Sequence, residues 1–592
     1  MLRWIQLALA AAPLFGQHIC APTPVYSPCE IVFELDDKEA AAHPNPYVSV
    51  ELRAELRSPR ARTILMPAFW DGGRRMVIRF APIDPGTWDF RISGNLERFN
   101  GKLGQLQATE ATDQGFLRPA NVHHWRYTES LKPHLWMGDT FLEMASAPQA
   151  VFDALLEARA KQKFNHLRAL ALGAGADARR AFPNADQPAS TWFQQLDERV
   201  IALNRKGLFA DLILAENPRQ LASLFDGWQQ RERFLRYIAS RYAAFHVTWQ
   251  IFSEFESHED GRTLLKDLGG LIKKYDPYQH PRSTGTVATS APALNDGWMN
   301  FVIHHSADDA IGAIEHQLFP APFVNTGFAR EVAGGADTMR RKAWNSAMNG
   351  QYPSSILDAR QPDSESAKAM ATWYEFFSRT RYWELEPYFD VDGGRALALP
   401  GTEYIVYLEK PGPVEILVER HSYDVFWFNP ITGESAKEKK DFKGERFAAE
   451  PPSAAQDWVL HLSREGRKEG MLRSYKFESR PNLMQEIEQN PLKLPFEVDA
   501  PAQDVLTLSK PASYAVKLKR ETRGTRHMMY LWTGEVPTEG RGYRVLGTGA
   551  TGNLGIPPNL AKLFPAVFNI RIYALNAVGK VYSMDRVCRL TE

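Results

Sequence analysis

The stretch HVTWQIFSEFE, residues 246–256, decides how the chain is expected to fold. It begins with an apolar, β-compatible run, VTWQIF, and ends on two carboxylates, Glu254 and Glu256. Upstream, the apolar side chains between positions 234 and 245 recur with a period near 3.6, which predicts a helix. A helix that leads into a short buried strand ending in acid is typical of a (β/α)8 barrel, whose catalytic groups lie at the carboxyl ends of the strands. The alternative is a half-buried strand whose glutamates simply face water.

The segment 116–385 repeats this alternation of strand and helix. Helical patterns occur at 149–163, 192–205, 228–245 and 263–274. Strands are predicted at 134–141, 165–172, 208–215, 247–252, 282–287, 299–305, 322–328 and 351–357. Eight such units over roughly 270 residues match the size of a (β/α)8 TIM barrel.

Polar residues lie at or near the ends of several of these predicted strands. They are Asp139, Glu216, Glu254, Glu256, His304, His305, Asn325 and Glu331. Because the carboxyl ends of barrel strands meet on one face, we expect these residues to line a polar active-site cleft. The alternatives are that Asp139 caps the following helix and that the two histidines are hydrogen-bonded scaffold. Adjacent histidines on a strand point to opposite faces, so both cannot easily ligate one metal ion.

The flanking segments have the patterns of β-domains. Residues 48–56, VSVELRAEL, alternate strictly, as expected of a strand with one buried face. We therefore predict an N-terminal β-sandwich at 17–115 and a C-terminal β-sandwich at 386–465. A charged linker at 466–494 would lead to a final all-β domain at 495–592.

The charge balance argues against nucleic-acid binding, and the N-terminal sequence indicates export. The 70 basic and 70 acidic residues balance, so no global field favours nucleic acid. A positive start, Met1 to Arg3, and an apolar segment at 4–15 predict a signal peptide at 1–16, with Leu14 as an imperfect −3 residue. No later stretch is apolar for long enough to span a membrane. In an oxidising compartment Cys20 and Cys29 would close a small loop, and no cysteine or histidine spacing indicates zinc.

Several short motifs carry a resemblance to a known family. NPY at 45–47, FWDG at 69–72, RFAP at 79–82 and GTW at 86–88 resemble the landmarks of an N-terminal β-sandwich of unknown function. LWMGDT at 135–140 and FQQLD at 193–197 resemble an apiosidase-like glycoside hydrolase barrel. WFNP at 427–430 and DWVL at 457–460 resemble a C-terminal β-domain of the collagen-binding type. These matches cover residues 30–465, and the last segment resembles nothing that we can name.

The resemblance implies roles for the carboxylates. Relatives end strand four on Asn-Glu-aromatic-Asp, which places Glu254 at the position of the general acid/base, although Ser253 replaces the asparagine. Relatives also have a glutamate directly after strand seven, where this chain has Gly327, and often another four residues later, where it has Glu331. A glycosidase needs two carboxylates about 5–10 Å apart, so either Glu331, Asp139 or Glu216 acts with Glu254, or the barrel only binds glycans.

The sequence therefore predicts an exported glycoside hydrolase that acts on a plant or microbial polysaccharide. No organic cofactor or metal is implied. The alternative is a degenerate carbohydrate-binding or scaffold protein, for which Gly327 is the main argument. The sugar, the linkage, the stereochemistry and the oligomeric state stay open.

Overall fold

The structure is a computed structural model of the chain. It describes residues 17–258, 260–328, 331–464, 486–501, 504–508, 511–522, 525, 527–537, 542–556 and 558–591, with the backbone alone at 331–334 and 558–560. The predicted signal peptide and most of the predicted linker lie outside the described residues. Among the described residues, no helix combines the length and apolar character needed to cross a membrane.

The N-terminal part is a β-sandwich of two sheets, in the orders β1-β3-β7-β6 and β2-β9-β8-β4-β5. Cys20 and Cys29 form the expected disulfide within it. Its elements are β1 (Gln17–Ile19), β2 (Thr23–Pro24), β3 (Cys29–Glu34), α1 (Asp37–Ala42), α2 (Pro46–Ser49), β4 (Leu52–Arg57), β5 (Thr63–Pro67), β6 (Phe69–Trp70), β7 (Arg75–Phe80), β8 (Gly86–Gly94) and β9 (Leu103–Thr109). A hairpin of β10 (Leu117–Ala120) and β11 (His124–Tyr127) then leads to the barrel.

The strand expected at 48–56 begins only at Leu52. Residues 46–49 form the short helix α2, because Pro46 occupies its first turn, where a proline is preorganised for helix. From Leu52 the expected alternation is confirmed, since Leu52, Ala54 and Leu56 are buried and the residues between them are exposed.

The central part is a (β/α)8 barrel, as predicted. Its elements are β12 (Gly138–Thr140), α3 (Gln149–Lys161), β13 (His166–Leu170), α4 (Asp177–Ala181), α5 (Ser190–Arg205), β14 (Phe209–Ala215), α6 (Pro218–Leu224), α7 (Trp228–Tyr242), β15 (Val247–Phe252), α8 (Gly261–Tyr275), β16 (Arg282–Ser283), β17 (Val302–His304), α9 (Asp309–Leu318), β18 (Phe323–Asn325), α10 (Glu331–Met348), β19 (Gln351–Ser355) and α11 (Glu365–Phe377). Single 3₁₀ turns occur at Leu142–Ala145 and Ala291–Asp296.

The eight strands, which we number one to eight from β12 to β19, lie in the order β16-β15-β14-β13-β12-β19-β18-β17 and all pair in parallel. Strands five and six close the ring through isolated hydrogen bonds, such as the one that Ser283 Oγ donates to the carbonyl of Phe301 at 2.8 Å. Strand four has the bounds expected, and all six of its side chains are buried because helices cover its outer face.

The C-terminal sheet packs against the last two barrel helices. Its elements are a 3₁₀ turn at Tyr382–Glu384, β20 (Glu386–Tyr388), β21 (Val391–Asp392), β22 (Arg395–Leu399), β23 (Glu403–Leu408), β24 (Val414–Phe428), β25 (Ser435–Lys437), β26 (Phe442–Ala449) and β27 (Trp458–Arg464). Asp457 is fully buried. Its carboxylate accepts hydrogen bonds from Arg340 Nη2 of α10 at 2.7 Å and from the hydroxyl of Tyr407 at 2.8 Å. This carboxylate therefore fixes the sheet to the barrel.

The N-terminal sandwich docks through a buried cluster of charges. Arg79 of β7 donates to Asp197 of α5 at 2.8 Å, and Arg241 of α7 donates to both Asp197 and Asp71 at 2.8 Å. Burial opposes the charge of Asp197, but the two guanidinium groups outweigh it and hold the pKa of this carboxyl below its usual range. Two sandwich residues and two barrel residues thus share one network, which ties the two parts together.

The last part consists of two small sheets that pack against helix α9. Its elements are β28 (Phe496–Asp499), β29 (Val505–Thr507), β30 (Ala512–Leu518), β31 (Met529–Val536), β32 (Gly542–Thr548), β33 (Thr551–Leu554), a 3₁₀ turn at Pro558–Leu563, β34 (Val567–Leu575) and β35 (Val581–Thr591). Ile311 and Ile314 of α9 form one apolar cluster with Leu531 and Tyr573. This part therefore packs on the barrel, against the helix that connects strands six and seven.

Candidate active site

The carboxyl ends of strands two, three and four are joined by hydrogen bonds around Glu216. The carbonyl of Glu216 accepts the backbone N–H groups of Ser253 and Glu254 at 3.1 and 3.2 Å. Its carboxylate accepts the N–H of Gly175, which lies in the loop after strand two, at 3.1 Å. The turn that carries Glu254 is therefore held against its neighbours, while the Glu254 residue itself is exposed at the mouth of the barrel.

Glu256 has a different environment, although it lies only two positions further on. It is 8% exposed, and its carboxylate accepts the hydroxyl of Thr286 and, at 3.2 Å, the N–H of Val287. Burial raises the pKa of Glu256 to about 7, against the opposing effect of the Arg544 charge and of these hydrogen bonds. Its carboxylate points into the protein and binds the turn after strand four to the end of strand five.

Strand five approaches strand four closely at this point. The N–H of Gly285 donates to the carbonyl of Phe252 at 2.7 Å, and a Cβ at position 285 would lie 2.1 Å from the carbonyl oxygen of Ser253. Only glycine fits there, which marks a close approach of two backbones, and the regular part of strand five ends at Ser283 rather than at the expected residue 287.

The last part of the chain contributes a cation to this end of the barrel. Arg544 of β32 is buried, with its guanidinium carbon 5.3 Å from the ring centre of Phe255. Its neighbour Tyr543 donates a hydrogen bond to Glu315 of α9. Sequence reasoning missed Arg544, because no pattern in a separate β-rich segment indicates where that segment docks.

A second missed cation lies inside the barrel. Arg168 of strand two is buried, and its Nε donates to Gln250 Oε1 of strand four at 2.7 Å. Burial lowers the pKa of Arg168 to about 10. An arginine within the apolar strand HLRAL was a usable sequence signal, since a charged group in a buried strand requires a partner.

Asp139 does not lie free at the mouth. It is 1% exposed, and its carboxylate accepts Arg159 Nε at 2.7 Å, together with the N–H groups of Thr140 at 2.8 Å and Leu357 at 3.1 Å. Burial raises its pKa despite the contact with Arg159. The carboxylate joins strand one, strand eight and helix α3, an arrangement that suits a scaffold role rather than contact with a substrate.

His304 and Asn325 also take part in a buried network. His304 Nε2 lies 2.6 Å from Glu315 Oε2, and Gln351 Nε2 lies 2.5 Å from His304 Nδ1. Asn325 Nδ2 donates to Gln351 Oε1 at 3.0 Å. The network joins strands six, seven and eight to helix α9, and does not place these two side chains in an open cleft.

His305 points away from that network, as expected for the neighbouring residue on a strand. It is half-buried, and its Nδ1 lies 3.2 Å from the Thr326 hydroxyl. A Cβ at Gly327 would lie 2.4 Å from the carbonyl carbon of His305 and 2.7 Å from its Cα. A glutamate at position 327 therefore does not fit without movement of His305. The side chain of Glu331 lies outside the described residues, so its predicted role stays a prediction.

The fold, a (β/α)8 barrel flanked by β-domains, is that of a glycoside hydrolase-like protein. Residues 123–352 match the family of apiosidase-like catalytic domains, and residues 22–95 match a domain of unknown function, DUF5060. The resemblance of the barrel and the N-terminal sandwich is confirmed. The collagen-binding type of the C-terminal sheet stays a prediction.

Solved structures share this architecture. A candidate glycoside hydrolase from Bacteroides vulgatus ATCC 8482 aligns with a TM-score of 0.63 at 17% identity, over 75% of this chain and 100% of its own. A family 5 glycoside hydrolase from the same organism aligns with a TM-score of 0.50 at 15% identity, over 59% of this chain and 94% of its own. At such identities the likeness concerns the fold alone. A search of curated proteins found no match.

Proposed function

We propose that the protein is an exported glycoside hydrolase that cleaves O-glycosidic bonds of a plant or microbial polysaccharide, with Glu254 as the proton donor. The observation that carries the proposal is the placement of Glu254, which is exposed at the carboxyl end of strand four on a turn held by Glu216. An exposed carboxyl on a fixed turn can reach a glycosidic oxygen and protonate it as the bond to the anomeric carbon breaks.

We propose Glu331 as the second carboxylate, which attacks the anomeric carbon or activates a water molecule. It lies at the start of α10, six residues after the end of strand seven at Asn325, and strands four and seven are on opposed sides of the barrel mouth. Glu216 is the alternative candidate for the second carboxylate, since it lies beside Glu254 and is only half-buried. Asp139 is less suitable, because its ion pair with Arg159 is buried.

We assign Glu256 a positioning role. Its carboxylate is held by Thr286 and Val287 and faces the charge of Arg544, so it links strand four, strand five and the last part of the chain. Glu256 then fixes the turn on which Glu254 is presented, and does not itself contact the sugar.

Two features support export. The apolar segment at 4–15 follows a basic start, and Cys20 and Cys29 form a disulfide, a bond that persists in oxidising compartments. Sequencing the N-terminus of protein recovered from the host tests this. A mature chain that begins near Gln17 is expected, and an intact Met1 on a cytoplasmic product would contradict export.

The proposal is tested with Glu254→Gln, which keeps the size of the side chain but removes the transferable proton. Hydrolysis should fall by about 10²–10⁴, which is the usual contribution of general-acid assistance. An aryl glycoside should lose less, because its leaving group departs without a proton. The matched control is Glu365→Gln on the exposed face of α11, which should leave both rates unchanged.

Binding measurements separate an enzyme from a binding protein. The mutant should bind the same glycan as tightly as the wild type, since the ground-state contacts remain. If wild type and mutant bind equally and neither releases sugar from a broad panel of polysaccharides, the protein is a degenerate carbohydrate-binding module.

A further inference from the structure

Three side chains from distant parts of the chain meet at the amino-terminal end of the barrel. His123 precedes β11, His316 lies near the end of α9, and Glu386 begins β20. Helix α9 runs from the end of strand six back to the start of strand seven, so His316 lies at the end of the barrel opposite to Glu254. The hairpin, the barrel and the C-terminal sheet thus each provide one member of the cluster.

The distances within the cluster suit a tetrahedral metal ion. His123 Nδ1 lies 3.2 Å and His316 Nε2 lies 3.4 Å from Glu386 Oε2, and all three atoms lie within 4.8 Å of one another. Zinc bonds of about 2.0–2.1 Å place neighbouring tetrahedral ligands roughly 3.3 Å apart. Both imidazole rings are buried, while the side chain of Glu386 is partly exposed and leaves a route for an ion.

The hydrogen bonds of His123 leave a lone pair directed at a carboxylate. Its Nε2 lies 3.1 Å from the carbonyl of Phe319, which can only accept, so Nε2 carries the proton. Nδ1 of the neutral ring is then unprotonated and faces Glu386 Oε2. Two electron-rich atoms at this distance repel each other unless a proton or a metal ion lies between them.

His316 adds an independent observation. Among the described residues, its Nε2 is buried and has no hydrogen-bond partner in good geometry. Its other nitrogen, Nδ1, lies 3.3 Å from Gln317 Nε2. An unpaired buried polar atom costs free energy, and it commonly marks an ion or a water molecule.

We propose that His123 Nδ1, His316 Nε2 and Glu386 Oε2 bind a divalent transition-metal ion, with Zn²⁺ the best fit and water as the fourth ligand. Imidazole and carboxylate are a ligand set that zinc accepts. The bond from His123 to Phe319 is of the kind that orients a ligating histidine, and His124 Nε2 holds the other Glu386 oxygen at 3.2 Å.

The ion would have a structural role. It lies at the amino-terminal end of the barrel, the end that in this fold serves stability rather than chemistry, and it would join the hairpin, helix α9 and the C-terminal sheet. Sequence reasoning did not find it, because its ligands lie far apart in the chain and have no short spacing.

Metal titration of the purified full chain tests the proposal. After removal of metals with a chelator, Co²⁺ should bind at one equivalent per chain and give the intense visible bands of a four-coordinate site, and Zn²⁺ should displace it. Zn²⁺ should also raise the Tm of the stripped protein, because it binds the folded state alone. A wild-type chain that binds no stoichiometric Co²⁺ or Zn²⁺ would overturn the proposal without any variant.

Variants identify the ligands. Loss of a residue that only holds a ligand in place costs about 10–100-fold in metal affinity, so His316→Gln and Glu386→Gln, which remove ligands, should each weaken Co²⁺ binding by more than that. His461→Gln is the matched control, since it removes a buried histidine paired with Glu403 at 2.7 Å in the same sheet but outside the cluster. If a folded His316→Gln binds the ion as tightly as the wild type, the ion binds elsewhere and the assignment of this cluster as the metal site is wrong.

Discussion

At the scale of single residues, two glutamates two positions apart differ in their surroundings. Glu254 is exposed on the turn after strand four. Glu256 is buried, accepts hydrogen bonds from Thr286 and Val287, and interacts with the charge of Arg544. The proton donor that we propose is therefore the residue that a substrate can reach, and its neighbour is a buried group that titrates near neutrality.

The buried glutamate makes stability depend on pH. The pKa of Glu256 rises from 4.5 to about 7 on folding, so the folded state binds the proton more tightly than the unfolded state. The free energy of unfolding of the wild type should therefore fall between pH 4.5 and 7, by on the order of 3 kcal/mol from this group alone.

Glu256→Gln removes this titration, so its stability relative to the wild type should increase as pH rises from 5 to 8. Denaturant unfolding at these two pH values measures the difference. The companion variant Thr286→Val removes a donor to the charged carboxylate, and it should move the transition to higher pH. Parallel pH dependences in wild type and Glu256→Gln would refute the buried titration.

At the scale of elements, glycines let the ends of neighbouring strands approach each other at the barrel mouth. Gly285 brings strand five against Ser253, and Gly327 brings the end of strand seven against His305. In the second contact, His305 occupies the space that a side chain at position 327 would need.

Gly327→Ala should therefore destabilise the protein by about 1–3 kcal/mol, the usual cost of inserting a group into a packed site. Gly270→Ala is the control, since Gly270 lies in α8 with nothing within 4 Å of the added Cβ. That change should be neutral, or stabilise by up to about 1 kcal/mol through helix propensity. Thermal unfolding compares the two, and equal effects would contradict the crowding at His305.

At the scale of the whole molecule, buried ion pairs hold the parts together. Arg79 and Asp71 of the sandwich meet Asp197 and Arg241 of the barrel, and Asp457 of the C-terminal sheet meets Arg340 of α10. Four of these residues, Asp71, Arg79, Asp197 and Asp457, belong to the motifs that resemble the family. Those motifs mark where the domains dock, and not the chemistry of the site.

Asp197→Asn should lower stability by about 3–5 kcal/mol, because it leaves two buried guanidinium groups without their shared carboxylate. The Tm and the rate of proteolysis between the sandwich and the barrel measure the effect. Glu365→Ala removes an exposed pair with Lys368 and should change neither. A mutant with the wild-type Tm would show that the network does not hold the two parts together.

The sequence by itself determined the eight strands of the barrel and the four helices α3, α5, α7 and α8, because their periodicities are local. Strand four has the predicted bounds, and each of the eight predicted strands occurs. One deviation is local too, since Pro46 converts the start of a predicted strand into helix. The early end of strand five accompanies a tertiary contact, that of Gly285 with strand four.

Only the tertiary structure decided which polar side chains at the strand ends face solvent. Asp139, His304 and Asn325 lie in buried networks and Glu254 does not, although all four lie near the ends of strands. It also decided that Arg544 approaches Glu256 and that His123, His316 and Glu386 meet. The physical reason is that periodicity reports the face of an element, whereas a side chain's partners depend on elements that are distant in sequence and close only after packing.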